Sequence, residues 1–300
     1  MHTGISGLGD YLAEDDRHAI GLARDIMAGI DWSHEDEPRD FEAPAYDSSE
    51  LLGIMPEDYR QPVDMREVIA RVVDGSGFTE FGARYGSATV CGNARIAGWP
   101  IGIITNNGPI DPAGASKATH FIQTCCQAGT PILYLNNTTG YMVGRSYEEA
   151  GMIKHGSKMI QAVANCRVPK IAIVIGGSYG PGNYAMFGRG LDPRFIFAWP
   201  NSRTAVMGPA QAGKVMRIVA EDKQRRGGME PDPKTLDFLE QATAKKLEDG
   251  STALYGTARL WDDGLIDPRD TRRVLALVLS VCREADARPL RPNSFGVARL

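Results

Sequence analysis

Three hundred residues suffice for one large domain with a full core. An apolar fraction of 43% beside 23% charged residues marks a globular chain, and no apolar run approaches the ~18 residues that span a membrane. The net charge of −4 argues against a nucleic-acid partner, and five cysteines without C-x-x-C spacing read as reduced thiols in the cytoplasm.

Asp15-Asp16 can cap an amphipathic helix in which Ala19, Ile20, Ala23, Ile26, Met27 and Ile30 share one face. From Asp31 to about Pro62 the periodicity dissolves into an acidic, proline-interrupted stretch that reads as a surface linker. A short helix over 65–73 follows, then strands at 78–81 and 88–91. Three units then share one grammar: Pro100 before 101–104, Pro131 before 132–135, and Pro169 before 171–175, each leading through a loop to a helix. The prolines stand 31 and 38 residues apart, the length of a βα unit returning to a neighbouring parallel strand. Ala118, Ile122, Cys125 and Cys126 form an apolar stripe on one connecting helix. A capping box at 146–149 precedes Ile153, Ile160, Val163 and Ala164 on the next. Strands at 195–199 and 204–207 come next, then helices at about 211–222, 233–247 and 272–283. The pattern predicts an α/β layer fold of repeated strand–turn–helix units with a helical C-terminal region. Ligands are expected at the strands' carboxyl ends, where the loops 105–108, 136–144 and 176–183 share a rim.

The third unit is the hub. Its run 168–175 reads as a buried strand, and the glycine-rich residues after it can turn sharply and open a helix near Asn183. Free N–H groups at that helix start would hold a developing negative charge. The same residues match three other motifs that fail on detail. Gly176-x-Ser178-x-Gly180 has the form of a nucleophile elbow, but that fold places its histidine after the serine, and His155 is the last histidine here. Gly180-x-Gly182-x-x-Ala185 has the form of a dinucleotide fingerprint, yet it starts too late after the strand and lacks an acidic residue near Asn201. Gly208 to Lys214 follows a phosphate loop until Val215, where a Ser or Thr should ligate magnesium.

Other candidates each have a plainer reading. Asp262-Asp263-Gly264 is a carboxylate pair or, more commonly for that triplet, an Asp-Gly turn. His155 with Lys158, and Lys117 with His120, lie one helical turn apart; such pairs flank an anion or form a solvated face. Tyr141 and Met142, between glycines, wall a pocket or plug the core. Cys125 and Cys126 read as two small apolar residues on a helix.

Taken together, these motifs resemble the carboxyltransferase (β) subunit of biotin-dependent acyl-CoA carboxylases, in the 3-methylcrotonyl-CoA and geranyl-CoA branch. The resemblance rests on collinear segments across nearly the whole chain: 78–81, 106–108, 119–121, 139–144, 176–180, 182–184, Arg194-Phe195, Trp199-Pro200, Met207-Gly208 and 261–264. It implies a crotonase-like fold, with 1–61 as the tail of a truncated N-terminal carboxyltransferase domain plus the linker, and 62–300 as the C-terminal carboxyltransferase domain. The implied activity is transfer of CO2 from carboxybiotin to the γ carbon of a branched enoyl-CoA, by backbone amides rather than a side-chain base. Biotin would ride on a partner α subunit, the biotin carboxylase and carrier, with none bound covalently to this chain. An N-terminal carboxyltransferase half, or other β copies in a hexamer, would complete the site; no metal is implied.

By the same resemblance, the amides of Gly180 and Gly182 form the biotin-side oxyanion hole. Gly140, Tyr141, Met142, Ser178, Tyr179 and Asn183 line the biotin pocket, and Asn107, Gly108, Ser116 and Lys117 contact acyl-CoA. Two departures bear on this: Pro181 replaces an Ala or Gly and has no N–H to donate, and Pro209-Ala210 replaces a Gly-Glu. Loss of one hole donor lowers the rate by roughly 100-fold. A catalytically inactive module that keeps the fold for binding or assembly is the alternative of a different class.

Overall fold

Short runs of isoleucine, leucine and valine between prolines and glycines satisfy their backbone by pairing side by side in a sheet. The computed structural model describes residues 1–3, 9–28, 40–56 and 61–288. Among the described residues the seven strands are β1 (Thr79–Glu80), β2 (Thr89–Ile96), β3 (Trp99–Asn106), β4 (Ile132–Thr138), β5 (Lys170–Tyr179), β6 (Phe195–Ala198) and β7 (Arg203–Ala205). They lie in the order β1-β2-β3-β4-β5-β6, with β7 pairing the last residues of β5 beyond the reach of β6. β2 runs antiparallel to both β1 and β3; β3 through β7 run parallel.

The helices are α1 (Asp16–Ala28), α2 (Leu51–Ile54), α3 (Met65–Ala70), α4 (Pro112–Ala128), α5 (Arg145–Glu149), α6 (Met152–Asn165), α7 (Pro181–Ala185), α8 (Pro209–Arg226), α9 (Pro233–Ser251), α10 (Ala253–Thr257) and α11 (Thr271–Ala287). None among the described residues is long and apolar enough to cross a membrane. The chain divides into two compact units, 1–38 with 280–300, and 39–279. In the first, Asp15 caps α1 through the His18 N–H at 2.7 Å, as its sequence predicts, but α1 has no buried residue and Ile30 lies outside the described residues. In the second, one sheet face packs on α3 and the start of α11 through Ile69, Ile103, Leu133, Ile173 and Leu275. The other packs on α4, α6 and α7 through Ile104, Phe121, Tyr134, Met159 and Phe187. The stretch read as linker is partly structural: α2 sends Leu51, 1% exposed, into the core.

Four local readings are corrected. The strand read at 88–91 runs on to Ile96 and returns as β3, so the first proline-led strand is the second arm of a hairpin. Its two turn residues, Ala97 and Gly98, have φ of 51° and 79°, the left-handed pair a two-residue hairpin demands. Asp74 holds them, accepting from Ala97 N–H at 2.8 Å and Gly98 N–H at 2.7 Å, and Arg272 pairs with that carboxylate at 2.6 Å. The hub strand does not stop at Ile175: β5 continues through Gly176 and Gly177 to Tyr179, all ten residues buried. Its register against β4 shifts between Asn136 and Thr138, and a Cβ on Gly176 would stand 2.2 Å from Asn137 Oδ1. Those glycines permit close approach at a bulge rather than a turn.

The capping box is absent because Gly144 caps α5 without a side-chain bond, and left-handed Gly151 (φ 81°) starts α6 afresh. The buried stripe of α6 is therefore Met152, Gly156, Met159 and Val163, and Ile153 is 77% exposed.

Candidate active site

Because β3, β4, β5 and β7 run parallel, the residues that follow them emerge on one rim. After β5, Gly180 takes φ 56° and ψ −144°, a conformation closed to residues with a Cβ, and any Cβ there would press on Val206 O at 3.0 Å. Pro181 then occupies the first position of α7, where a missing N–H leaves no broken bond and the fixed φ suits the helix. Asn183 stabilises the turn twice. Its N–H donates to Gly180 O at 3.0 Å, and its Nδ2 donates to the buried Ser178 Oγ at 2.7 Å. Ser178 is thus a partner inside β5, in keeping with rejection of the nucleophile elbow.

The loop after β4 meets this turn backbone to backbone. A Cβ on Gly182 would stand 2.7 Å from Gly140 Cα, so the approach requires glycine. Gly140 has φ 117°, donates its N–H to Thr138 Oγ1 at 3.2 Å, and accepts from Ile110 N–H at 2.9 Å. Met142 N–H in turn donates to Ile110 O at 2.9 Å, which ties the loop after β3 to the loop after β4. Tyr141 packs its ring on Gly156 of α6 and donates its hydroxyl to Gly156 O at 3.1 Å; burial raises its pKa. A cavity of about 450 Å³ opens between the two loops, lined by Gly140, Tyr141, Met142, Tyr179, Gly180 and Pro181 among others. Five of the eight hub and loop residues singled out from sequence line it, and Tyr141 both walls the cavity and braces a helix.

Two expectations for the oxyanion hole meet different fates. The Gly180 N–H donates to Ala205 O at 3.0 Å, because β7 pairs with the end of β5, so it is not a free donor and its assignment to the hole is corrected. Gly182, buried at the second position of α7, has an N–H that the helix ladder cannot satisfy.

The segment expected to contact acyl-CoA is otherwise engaged. Asn107 Oδ1 accepts from Met65 N–H at 2.9 Å and its Nδ2 donates to Asp64 at 2.9 Å, so the side chain secures the start of α3. Ser116 Oγ donates to Pro112 O at 2.9 Å and stands 2.8 Å from His155 Nδ1, joining α4 to α6. Lys117 is 3% exposed, donates to Gly82 O at 3.3 Å, and has its pKa lowered by burial. It shares no solvated face with His120, which is exposed and edges the Phe81 ring at 5.2 Å. Of the four, Gly108 alone keeps an open approach: a Cβ there would meet only Ala88 Cβ, at 3.8 Å.

Asp262 and Asp263 are turn residues. Asp262 accepts from Gly264 N–H at 3.0 Å and from Thr257 Oγ1; Asp263 accepts from Ile196 N–H at 2.8 Å and pairs with Arg189 at 3.0 Å. Among the described residues no three His, Cys, Asp or Glu side chains cluster to hold a metal.

One neighbouring cavity was not anticipated. A second cavity, about 880 Å³, lies on the other side of Gly180 and Pro181, lined by Tyr184, Val206, Met216, Leu247, Tyr255 and Trp261 with Arg189 and Lys246 at its polar positions. The available signal was Val206-Met207-Gly208, a fourth rim loop directly after β7.

A family model described as the carboxyl transferase domain matches residues 1–294. The methylcrotonoyl-CoA carboxylase beta chain, mitochondrial, of Dictyostelium discoideum is 43% identical over 304 residues, covering all of this chain and 51% of its own length. A probable biotin-dependent acyl-coenzyme A carboxylase beta2 subunit of Mycobacterium tuberculosis is 48% identical over 303 residues, covering all of this chain and 57% of its own. The crystal structure of the geranyl-CoA carboxylase beta subunit of P. aeruginosa superposes with a TM-score of 0.87 at 58% identity, again over all of this chain and 57% of that one. The chain therefore spans about half the length of the relatives it matches.

Proposed function

The chain belongs to the carboxyl transferase domain family, and from that premise we propose that it is the carboxyltransferase component of a biotin-dependent acyl-CoA carboxylase. It transfers CO2 from carboxybiotin to the γ carbon of a branched enoyl-CoA, 3-methylcrotonyl-CoA or geranyl-CoA. The observation that carries this reading is the backbone-to-backbone meeting of Gly182 with Gly140 beside the cavity of about 450 Å³. A volume in the range of small-molecule sites, walled by an aromatic and a thioether and edged by backbone, suits a compact fused-ring urea. Biotin supplies an activated carboxyl group, delivered by a partner α subunit. Residues 39–279, the compact unit that holds the sheet and buries Leu51, are the body of the C-terminal crotonase-like domain; the acyl-CoA side of the site comes from the rest of the protein or from another β copy. Five cysteines outside any disulfide support a cytoplasmic setting.

Each residue has a bounded task. The Gly182 N–H faces the oxyanion that develops during transfer, one preorganised donor worth about 3 kcal/mol. Gly140 lets the ring approach the turn, Tyr141 and Met142 wall it, and Asn183 fixes the turn through Ser178. Pro181 contributes shape and no donor.

The test is carboxyl transfer from labelled bicarbonate in the assembled enzyme, with the α subunit and the full β length present. Wild type is expected to label both branched enoyl-CoA substrates above background. Pro181→Ala, which restores an N–H, is expected to raise the rate on the order of 100-fold. Absence of labelling in both would instead favour the inactive binding module.

A further inference from the structure

Three of the five cysteines gather where two helices end side by side. Cys125 and Cys126 lie in the last turn of α4, Cys166 caps the C-terminus of α6, and these two helices pack together. Cys126 is half-buried, Cys166 is 7% exposed and Cys125 is 2% exposed, so Cys126 is the most accessible residue of the three. The Arg167 N–H donates to Cys126 Sγ at 3.4 Å, and the Val168 N–H and the Cys166 thiol lie close enough to act on the same sulfur, Val168 acting on Cys166 as well. A sulfur that accepts from backbone N–H groups and a neighbouring thiol, beside an arginine, is prepared to carry negative charge. The Arg167 amide is the main cause that holds the Cys126 pKa below its usual value, whereas burial pushes Cys166 up to about 11 and Cys125 up to about 12. Cys126 is thus the thiol of the three that ionises most readily.

We propose that Cys126 and Cys166 are a hydroperoxide-responsive thiol pair, Cys126 attacking and Cys166 resolving. The Cys126 thiolate attacks the outer oxygen of a hydroperoxide: an S–O bond forms, the O–O bond breaks, and the leaving oxyanion takes a proton. Sulfur is oxidised by two electrons and the peroxide is reduced to an alcohol or water. The Cys166 sulfur then displaces hydroxide from the Cys126 sulfenic acid, forming S–S, and the thiol proton leaves with the hydroxide as water. The new bond ties the end of α4 to the end of α6. Those helices are also joined at Ser116 and His155, and α6 backs Tyr141 through Gly156, so oxidation would reach the wall of the candidate site through two rigid elements.

The reduced full chain, treated with iodoacetamide at neutral pH, should be alkylated at Cys126 at least about tenfold faster than at Cys125 or Cys166. Hydrogen peroxide should lower the intact mass by that of two hydrogens, with a tryptic peptide pair joined through Cys126 and Cys166. Cys166→Ser should stop at a sulfenic acid trapped by dimedone on Cys126. Alkylation with no preference for Cys126 overturns the proposal, as does oxidation of wild type without a Cys126–Cys166 crosslink; both readouts use wild type and stand whether or not the variant folds.

Discussion

Two stretches were expected to form the site, and the structure treats them oppositely. The glycine loops after β4 and β5 meet at a cavity, while the polar run from Asn107 to Lys117 is absorbed into the architecture. The side chains that looked chemically able hold helix ends and interhelical contacts. The residues with almost no side chain leave open the space that the cavity occupies. A site built on backbone is thus defined by which atoms are missing, and polar side chains nearby are weak guides to it.

The sharpest way to break that contrast is Gly182→Ala. The new methyl would stand 2.7 Å from Gly140 Cα, backbone against backbone, with no flexible side chain to yield. Overpacking of this sort costs about 1–3 kcal/mol, and displacing the turn moves the Gly182 N–H, which the helix ladder cannot satisfy. Carboxyl transfer in the assembled enzyme is expected to fall by roughly 100-fold or more, with a lowered Tm for the chain. A Gly182→Ala protein with wild-type transfer would show that the two loops do not make the site.

What the sequence could reveal follows the same division. The apolar run 171–175 located β5, because a parallel strand buried on both faces reads as continuous aliphatics. The order of strands and helices located the rim. The end of β5 was not legible, since Gly176 and Gly177 look alike as turn or bulge until Asn137 of the neighbouring strand is in place. Nor was the hairpin at Ala97-Gly98, which lacks an Asn-Gly signal and depends on a carboxylate, Asp74, from outside it. The fate of Asn107 was hidden for a comparable reason: its partners Met65 and Asp64 lie 42 and 43 residues away. Local pattern placed the elements, and long-range contacts decided which polar groups stayed available.

Asn107→Ala probes the absorbed stretch directly. Removing the amide leaves the Met65 N–H, in the first turn of α3, without its acceptor and takes a partner from Asp64. Loss of a helix-start contact of this kind costs about 1 kcal/mol. Urea denaturation should show that loss, while KM for the acyl-CoA in the assembled enzyme stays at the wild-type value. A raised KM with unchanged stability would return Asn107 to the binding surface.

Lys117→Met gives the smallest expected effect and the most particular signature. Lys117 is 3% exposed and its ammonium stands 3.3 Å from Gly82 O, and burial lowers its pKa below the usual 10.5 despite Glu80 and Asp111 nearby. Between that lowered value and 10.5 the unfolded chain binds more protons at this site than the folded chain does. Stability therefore rises with pH across that window, and below it the folded state carries the full penalty of a buried charge. Methionine fills similar space without a charge, so the variant should equal or exceed wild type at neutral pH, by about 1 kcal/mol at most. Denaturation curves at neutral pH and just below pH 10.5 should show the two proteins converging, because only wild type gains stability over that range. A variant less stable than wild type at neutral pH would mean that the charge is well paired in the fold. Lys117 would then be a structural ion, and the contrast with the side-chain-poor loops would rest on Asn107 and Ser116.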